Sequence, residues 1–404
     1  MTMKQIRNLV LSLCLLSIVS LVSFRLGQVT GKESISKIGG ENLDLSLMWK
    51  VKDNLSKAFL EKDKMDDKKM VYGAIQGMVA SLDDPYTMYL PPSDNKSSND
   101  DLAGQFGGVG IQLGYKDKNL AVMAPLAKTP AANAGVQAGD LILKIVDKEN
   151  NVDKDTYGIS LDEAVKLIRG KIGTDVTLKF FREGKPEPFE LTLKRDNIVV
   201  PSMELVWVEK SGKKVAVVRL YKFTDTLYKD WPKMVDDINV EKAKISNYGG
   251  IILDLRNNPG GFLEASVMVG SDFIKEGVIV KQQSSDGKTV TYEVDKSRGK
   301  LLDDKLVVLV NGGSASASEI LSGAIKDYKR AQLVGEKTFG KGTVQEPQQF
   351  ADGSGLHVTI AKWLLPNGSN IHKVGIEPDI EVKFDSNSKV DDQQNKAVEV
   401  LLEK

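Results

Sequence analysis

The 404-residue chain balances 55 basic against 55 acidic side chains, so its net charge gives no attraction to nucleic acid or to an anionic surface. No basic tract interleaved with aromatics appears, and nucleic-acid binding is not expected. One cysteine, Cys14, and two histidines, His357 and His372, exclude a disulfide framework, a thiolate metal cage and a histidine-rich metal centre, so no metal or cofactor is expected.

The N-terminus reads as an address. Lys4 and Arg7 precede the apolar run "LVLSLCLLSIVSLVSF" (9–24), which Arg25 closes. That is a charged flank followed by one segment of signal-peptide or short membrane-anchor length. No Ala-x-Ala-like cleavage site follows, which favours a retained signal anchor over residues 1–27. The basic residues on the short side put the N-terminus in the cytoplasm and the body outside. The expected location is membrane-anchored and extracytoplasmic, in a bacterial envelope, or secreted if the segment is cleaved.

Residues 41–92 form an N-terminal helical region, helical in pattern over 41–82 and ended by the prolines of "SLDDPYTMYLPP" (81–92). Leu45, Met48, Leu55 and Phe59 form one apolar stripe, and Met70, Ala74, Met78 and Leu82 another. Stripes of this kind make a core or an oligomer face, so a homodimer is one expectation. "SDNKSSND" (93–100) reads as a polar linker. A compact module follows over 104–196: the glycine-rich turn "FGGVGIQLG" enters a strand, and "AANAGVQAGDLILKIV" gives a short helix, a Gly-Asp turn and a buried strand. "SLDEAVKLIRG" is an amphipathic helix opened by Ser160 with Glu163 three residues on, a capping box. A hairpin turns around Glu183-Gly184. Over 201–382 short apolar runs alternate with helices, as in an α/β core with a mixed, largely parallel sheet. Residues 391–404 close the chain as a helix.

The stretch "VLVNGGSASASEI" (308–320) joins a buried strand to a helix through two glycines and three serines. An interdomain linker would not run straight into an amphipathic helix. A plain N-cap and a nucleophile elbow remain. In the second case, small neighbours admit a substrate carbonyl and the free N–H groups of the helix start stabilise an oxyanion. Local pattern does not choose among Ser314, Ser316 and Ser318. A serine nucleophile needs a base. Lys341 in "GEKTFGKGTVQE" lies between glycines beside an aromatic, in a strand-like stretch where 341, 343 and 345 share a face, and Gln345 there can hold the lysine. Lowering a lysine pKa from about 10.4 to roughly 7–8 takes about 4 kcal/mol, which requires burial or a neighbouring positive charge.

"NGGSASASEI", "GEKTFGKGTVQ", "DLRNNPGG", "SLDDPYTMYL" and "GLHVTIAKWLLPNGSNIHKVGIEPDI" together resemble the carboxyl-terminal processing (tail-specific) proteases, in the family's order from about residue 41 to the C-terminus. The resemblance implies a serine endopeptidase: Ser316 as nucleophile, Lys341 as general base and Gln345 as the residue orienting it. It places the oxyanion donors on Ala317 and on Gly260 or Gly261. The 104–196 module resembles an α+β PDZ domain, with Gly108, Val109, Gly110 and Ile111 in its carboxylate-binding loop. Consecutive N–H groups there form an anion nest, and a substrate tail with an apolar C-terminus adds as a strand beside it. Leu161, Val165 and Ile168 would line the pocket for its last side chain, and Arg169 would couple module and core. The competing expectation is a catalytically silent, peptide-binding envelope scaffold.

Overall fold

The computed structural model describes residues 44–403 apart from 127, 386, 387 and 389. The chain divides into two compact units, 1–75 and 76–404. In the first, the helix Ser46–Ala58 buries none of its residues. Its apolar stripe is exposed, with Leu45 44% and Leu55 42% accessible. The segment 9–24 lies outside the described residues, and among those no helix is long and apolar enough to cross a membrane.

The second unit is built on a six-stranded sheet. Its spatial order is Met203–Lys210, Lys213–Leu220, Tyr248–Asp254, Leu306–Val310, Gln332–Gly335 and Ile380–Glu381. The first pair is antiparallel and every later pair parallel, the mixed, largely parallel sheet that the pattern predicts. Successive residues of each strand enter different cores. Ala216, Val218, Ile251, Leu253, Val308 and Val310 belong with apolar residues of the helices Leu227–Lys242, Leu263–Phe273 and Ala317–Asp327. Val215, Val217, Ile252, Val307 and Leu309 pack with Ala397, Val398 and Leu401 of the closing helix Asp392–Glu403. Cover on both faces explains why these strands read as unbroken apolar runs. Each fully buried aliphatic side chain stabilises the layer by about 1.5–3 kcal/mol.

A second sheet, all antiparallel, has no counterpart in the alternating strand–helix pattern. Gly355–Leu364 is its centre. Thr343–Gln349 pairs along one edge, and Met88–Leu90 and Val278–Ser284 share the other, with Thr289–Glu293 beyond. Met88–Leu90 comes from the N-terminal helical region of 41–92, so that region ends in a strand. The "SDNKSSND" segment is not a linker. It lies in a helix, Pro92–Ala103, which starts with proline at its first turn and stops at Gly104 with φ 72°. Polar composition concealed it because the side chains it half-buries are themselves polar. Its one buried residue, Asn95, donates to the Gly353 carbonyl at 3.0 Å.

The 104–196 module is a five-stranded antiparallel path, Ile111–Lys116, Asn119–Pro125, Leu141–Asp147, Asp175–Phe181 and Phe189–Lys194. Val152–Asp155 pairs off Leu141–Asp147. The helix Leu161–Ile168 is capped by Ser160, whose Oγ accepts from Glu163 N at 3.2 Å. The chain enters and leaves through a ribbon, Gln105–Gly108 against Asp196–Val199. At this closure lies a fully buried ion pair, Arg195 Nη2 to Asp147 Oδ2 at 2.8 Å. Arg195 Nε also donates to Ile168 O at the end of the helix, and Nη1 to Thr174 Oγ1. Removing the arginine leaves an unpaired buried carboxylate, which costs about 3–5 kcal/mol. Arg195→Ala should therefore lower module stability by that amount, read as amide hydrogen exchange accelerated across 104–196 while the 306–310 strand stays protected.

Candidate active site

The turns that follow the parallel strands converge at their carboxyl ends, the place where open α/β sheets form their crevice. After Asp254 the turn "LRNNPGG" is knitted by Asn258: its Nδ2 donates to Leu220 O at 2.7 Å, and its Oδ1 accepts from Gly260 N at 2.9 Å. Gly260 has φ 100°, and a Cβ there would come within 2.7 Å of Ser316 Cβ and 3.0 Å of Ala317 N. Only glycine fits this contact, which lays the 258–261 turn against the 311–317 turn.

The three serines separate by burial. Ser314 and Ser318 are fully buried. Ser314 Oγ donates to Leu255 O at 2.8 Å, and Ser318 Oγ to Asn258 O at 2.9 Å, so both pin the two turns together. Ser316 is only half-buried and heads the helix Ala317–Asp327 as N-cap, with φ 55° and ψ −115°. For a residue with a Cβ this conformation stores about 1–3 kcal/mol of strain. The Gly260 N–H is committed to Asn258, whereas those of Gly261 and Ala317 donate to no backbone or side-chain acceptor among the described residues.

What holds the strained turn is Glu319, three residues into the helix and fully buried. Its Oε2 accepts from Ser316 N at 2.9 Å and from Lys341 N at 2.9 Å. Its Oε1 accepts from Gly340 N at 2.7 Å and from the Thr338 hydroxyl at 2.5 Å. One carboxylate thus clamps the serine turn and the lysine loop at fixed separation through four charge-assisted hydrogen bonds.

Lys341 lies in that loop and not in a strand. The strand starts at Thr343, and its register shifts between Val344 and Gln345, so residues 341, 343 and 345 do not form one simple face. Burial pushes the Lys341 ammonium below the ordinary lysine range, with Asp84 opposing. Its Nζ stands 5.2 Å from the ring centroid of Tyr86. His357 is lowered in turn, first by burial and then by the charge of Lys341. Gln345 does not bond the lysine; its Nε2 donates to Thr343 Oγ1 at 2.9 Å and to Thr359 Oγ1 at 3.1 Å. With the amide nitrogen so engaged, its carbonyl oxygen is the atom able to accept from Lys341.

In the module, Gly108 is already paired in the entry ribbon, opposite Asp196. Val109 is buried and its carbonyl accepts from Ala131 N, while Gly110 turns with φ 77° and its carbonyl accepts from Leu126 N. Ile111 opens a strand that, among the described residues, pairs only with Asn119–Pro125, which leaves its outer edge open there. Leu161 and Val165 are half-buried. Ile168 is 5% exposed and sits in the module's core, so it packs the module's own interior. Arg169 Nη1 bonds Asp101 Oδ1 at 2.8 Å, and its guanidinium lies 3.7 Å from the Phe106 ring centroid. Asp101 belongs to the 92–103 helix, whose Leu102 carbonyl accepts from Asp225 N of the core. Lys222 stands at this junction, lowered by burial, with Asp101 opposing and Arg169 adding to the shift. Sequence reasoning gave no role to Glu319, Asn258, Tyr86 and Thr359, although each lies in one of the quoted motifs; Glu319 also carried the Ser-x-x-Glu capping spacing.

Family models match three segments of the chain. The model of peptidase family S41 matches residues 214–382, a PDZ domain model 107–193, and an "Activating protease CtpB N-terminal domain" model 29–93. The chain is 37% identical over 344 residues to the "Carboxy-terminal processing protease CtpA" of Bacillus subtilis, covering 84% of this chain and 70% of the relative. It is 38% identical over 320 residues to a "Probable CtpA-like serine protease" of Staphylococcus haemolyticus, covering 79% of this chain and 61% of that one. Among solved structures, the photosystem II D1 C-terminal processing protease aligns at 30% identity with TM-score 0.51, over 87% of this chain and 90% of its own.

Removing the Glu319 carboxylate leaves four donors without their acceptor. At about 1 kcal/mol each, Glu319→Ala should lower the unfolding free energy by about 4 kcal/mol. Denaturant titration of the whole chain measures this, and a change under 1 kcal/mol would show that the clamp carries no stability.

Proposed function

The chain belongs to peptidase family S41, among the serine-type carboxy-terminal processing proteases and with a PDZ domain, and on that premise we propose that it cleaves proteins at or near their C-termini through a Ser316/Lys341 dyad. The observation that carries this reading is the Glu319 clamp, which fixes a half-buried serine and a desolvated lysine on one carboxylate.

Ser316 Oγ attacks the scissile carbonyl, and neutral Lys341 takes its proton. The oxyanion forms against the N–H groups of Ala317 and Gly261, since that of Gly260 is already bonded to Asn258. The lysine then returns the proton to the leaving amine, and water hydrolyses the acyl-enzyme by the reverse path. Gln345, held by its nitrogen on the two threonines, offers its oxygen to the ammonium and keeps it aimed. The open edge of Ile111–Lys116 accepts the substrate tail as an added strand, with its terminal carboxylate at Val109-Gly110 and its last apolar side chain beside Leu161 and Val165. Arg169, on Asp101 and Phe106, is positioned to pass tail binding to the core. The apolar 9–24 segment supports anchoring with the body outside the cytoplasm, and the outward stripe of Ser46–Ala58 supports pairing of two copies.

The test is turnover of an unstructured protein with an apolar C-terminus. Ser316→Ala and Lys341→Ala should each lose at least about 10³-fold in kcat/KM; equal turnover in all three proteins contradicts the dyad. Because Lys341 works only when neutral and burial lowers its pKa, wild-type kcat/KM should rise with pH and level off below the ordinary lysine range, falling about tenfold per unit on the acid side. Amidating the substrate's C-terminus should weaken cleavage about tenfold, the value of one lost charge-assisted hydrogen bond. A silent scaffold would bind the tail and show no turnover.

A further inference from the structure

The stretch Asp84–Thr87 belongs to no part of the proposed machinery, lies outside the matched peptidase segment 214–382, and yet forms one wall of the site. It is delivered there by pairing: Met88, Tyr89 and Leu90 lie opposite His357, Leu356 and Gly355, and Thr359 N donates to Thr87 Oγ1 at 3.0 Å. The ring of Tyr86 faces Lys341 Nζ and meets His372 edge-on, with centroids 6.1 Å apart. Asp84 accepts from Thr87 Oγ1 at 2.7 Å and from Tyr86 N at 3.1 Å. The Thr359 hydroxyl, which accepts from Gln345 Nε2 at 3.1 Å, also holds the Asp84 carboxyl down.

We infer that Asp84 and Tyr86 are positioning residues of the reaction centre: the Tyr86 ring shields the Lys341 amine from water, and Asp84, through Thr359, sets the amide of Gln345. This rests on the Ser/Lys reading. Two opposed influences on the lysine then come from one turn of chain. The ring removes water, which favours the neutral amine more than the pull of its face on an ammonium opposes it. The carboxylate favours the ammonium, and burial of Asp84 is outweighed by the nearby Thr359 and Thr87 hydroxyls and the Tyr86 N–H, so it stays charged. The other titratable groups around this space are His357 on the central strand, His372 on the loop packed against Gly342, and Glu319 beneath the backbone of Lys341. His372 meets the Tyr86 ring, His357 feels the charge of Lys341, and Glu319 is committed to four donors. Asp84 is therefore the anion that acts on the amine.

The two substitutions should move the pH profile in opposite directions, which a merely structural role would not do. In the whole chain, Tyr86→Ala admits water, raises the lysine pKa and should move the acid limb of kcat/KM up by about one pH unit, a roughly tenfold loss at any pH below it. Tyr86→Phe keeps the ring and should restore the wild-type limb. Asp84→Asn keeps an acceptor for Thr359 but removes the charge, and should move the limb down. If Tyr86→Ala does not fold, the Asp84→Asn limb decides alone. A limb unmoved in either folded variant, with Lys341→Ala silent, overturns this inference and leaves the dyad intact; turnover by Lys341→Ala overturns the dyad itself.

Discussion

A single buried carboxylate sets the geometry on which the rest of this site depends. Glu319 accepts from the backbone of both Ser316 and Lys341 on Oε2, and from the Gly340 backbone and the Thr338 hydroxyl on Oε1. An isolated charge at full burial would be prohibitively costly, but four donors satisfy it. The same bonds work against two local liabilities. They hold Ser316 in a left-handed turn that a residue with a side chain avoids, and they keep the lysine loop from drifting toward solvent. Strain at the serine and desolvation at the lysine are both unfavourable alone. Coupled through one anion, they become a rigid pair.

The fold supplies what surrounds that pair. The parallel sheet ends its strands in one crevice, so turns distant in sequence meet there. Ser314 and Ser318 hold the serine turn to the 255–258 segment by hydrogen bonds to carbonyls, and Gly260 permits the contact because it has no Cβ. The antiparallel sheet performs a different task. Its central strand carries His357 and Thr359 beside the lysine loop, and it draws residues 88–90 from before the PDZ domain onto its edge. The lysine is thus desolvated by a wall that the peptidase segment does not contain. The PDZ domain joins at a polar junction of Arg169, Asp101 and Lys222, where charges are close enough to respond to a small shift of the helix end.

Much of this was legible in the residues. Unbroken apolar runs such as "LVVLV" gave the parallel sheet because cover on both faces removes the polar alternation. The glycine-serine turn and its following helix marked the site, and the match of several long motifs selected Ser316 and Lys341. Other features were hidden for physical reasons. The 92–103 helix half-buries polar side chains and so lacks an apolar stripe. The strand pairing of 88–90 with 355–357 joins segments more than 260 residues apart, and no local pattern announces it. Gln345 lies beyond a register shift, which a strict two-residue period does not anticipate. Ile168 shares its helix with Val165 yet turns into the core, a distinction finer than helical spacing alone.

The central claim is that folding, and not substrate, keeps Lys341 poised as a neutral base. Its side-chain nitrogen can be titrated directly by nuclear magnetic resonance in the Ser316→Ala chain, with the lysine assigned by difference from Lys341→Arg. The account predicts a titration clearly below that of the surface lysines, in the absence of any substrate. A midpoint at the ordinary lysine value of about 10.4 would contradict it.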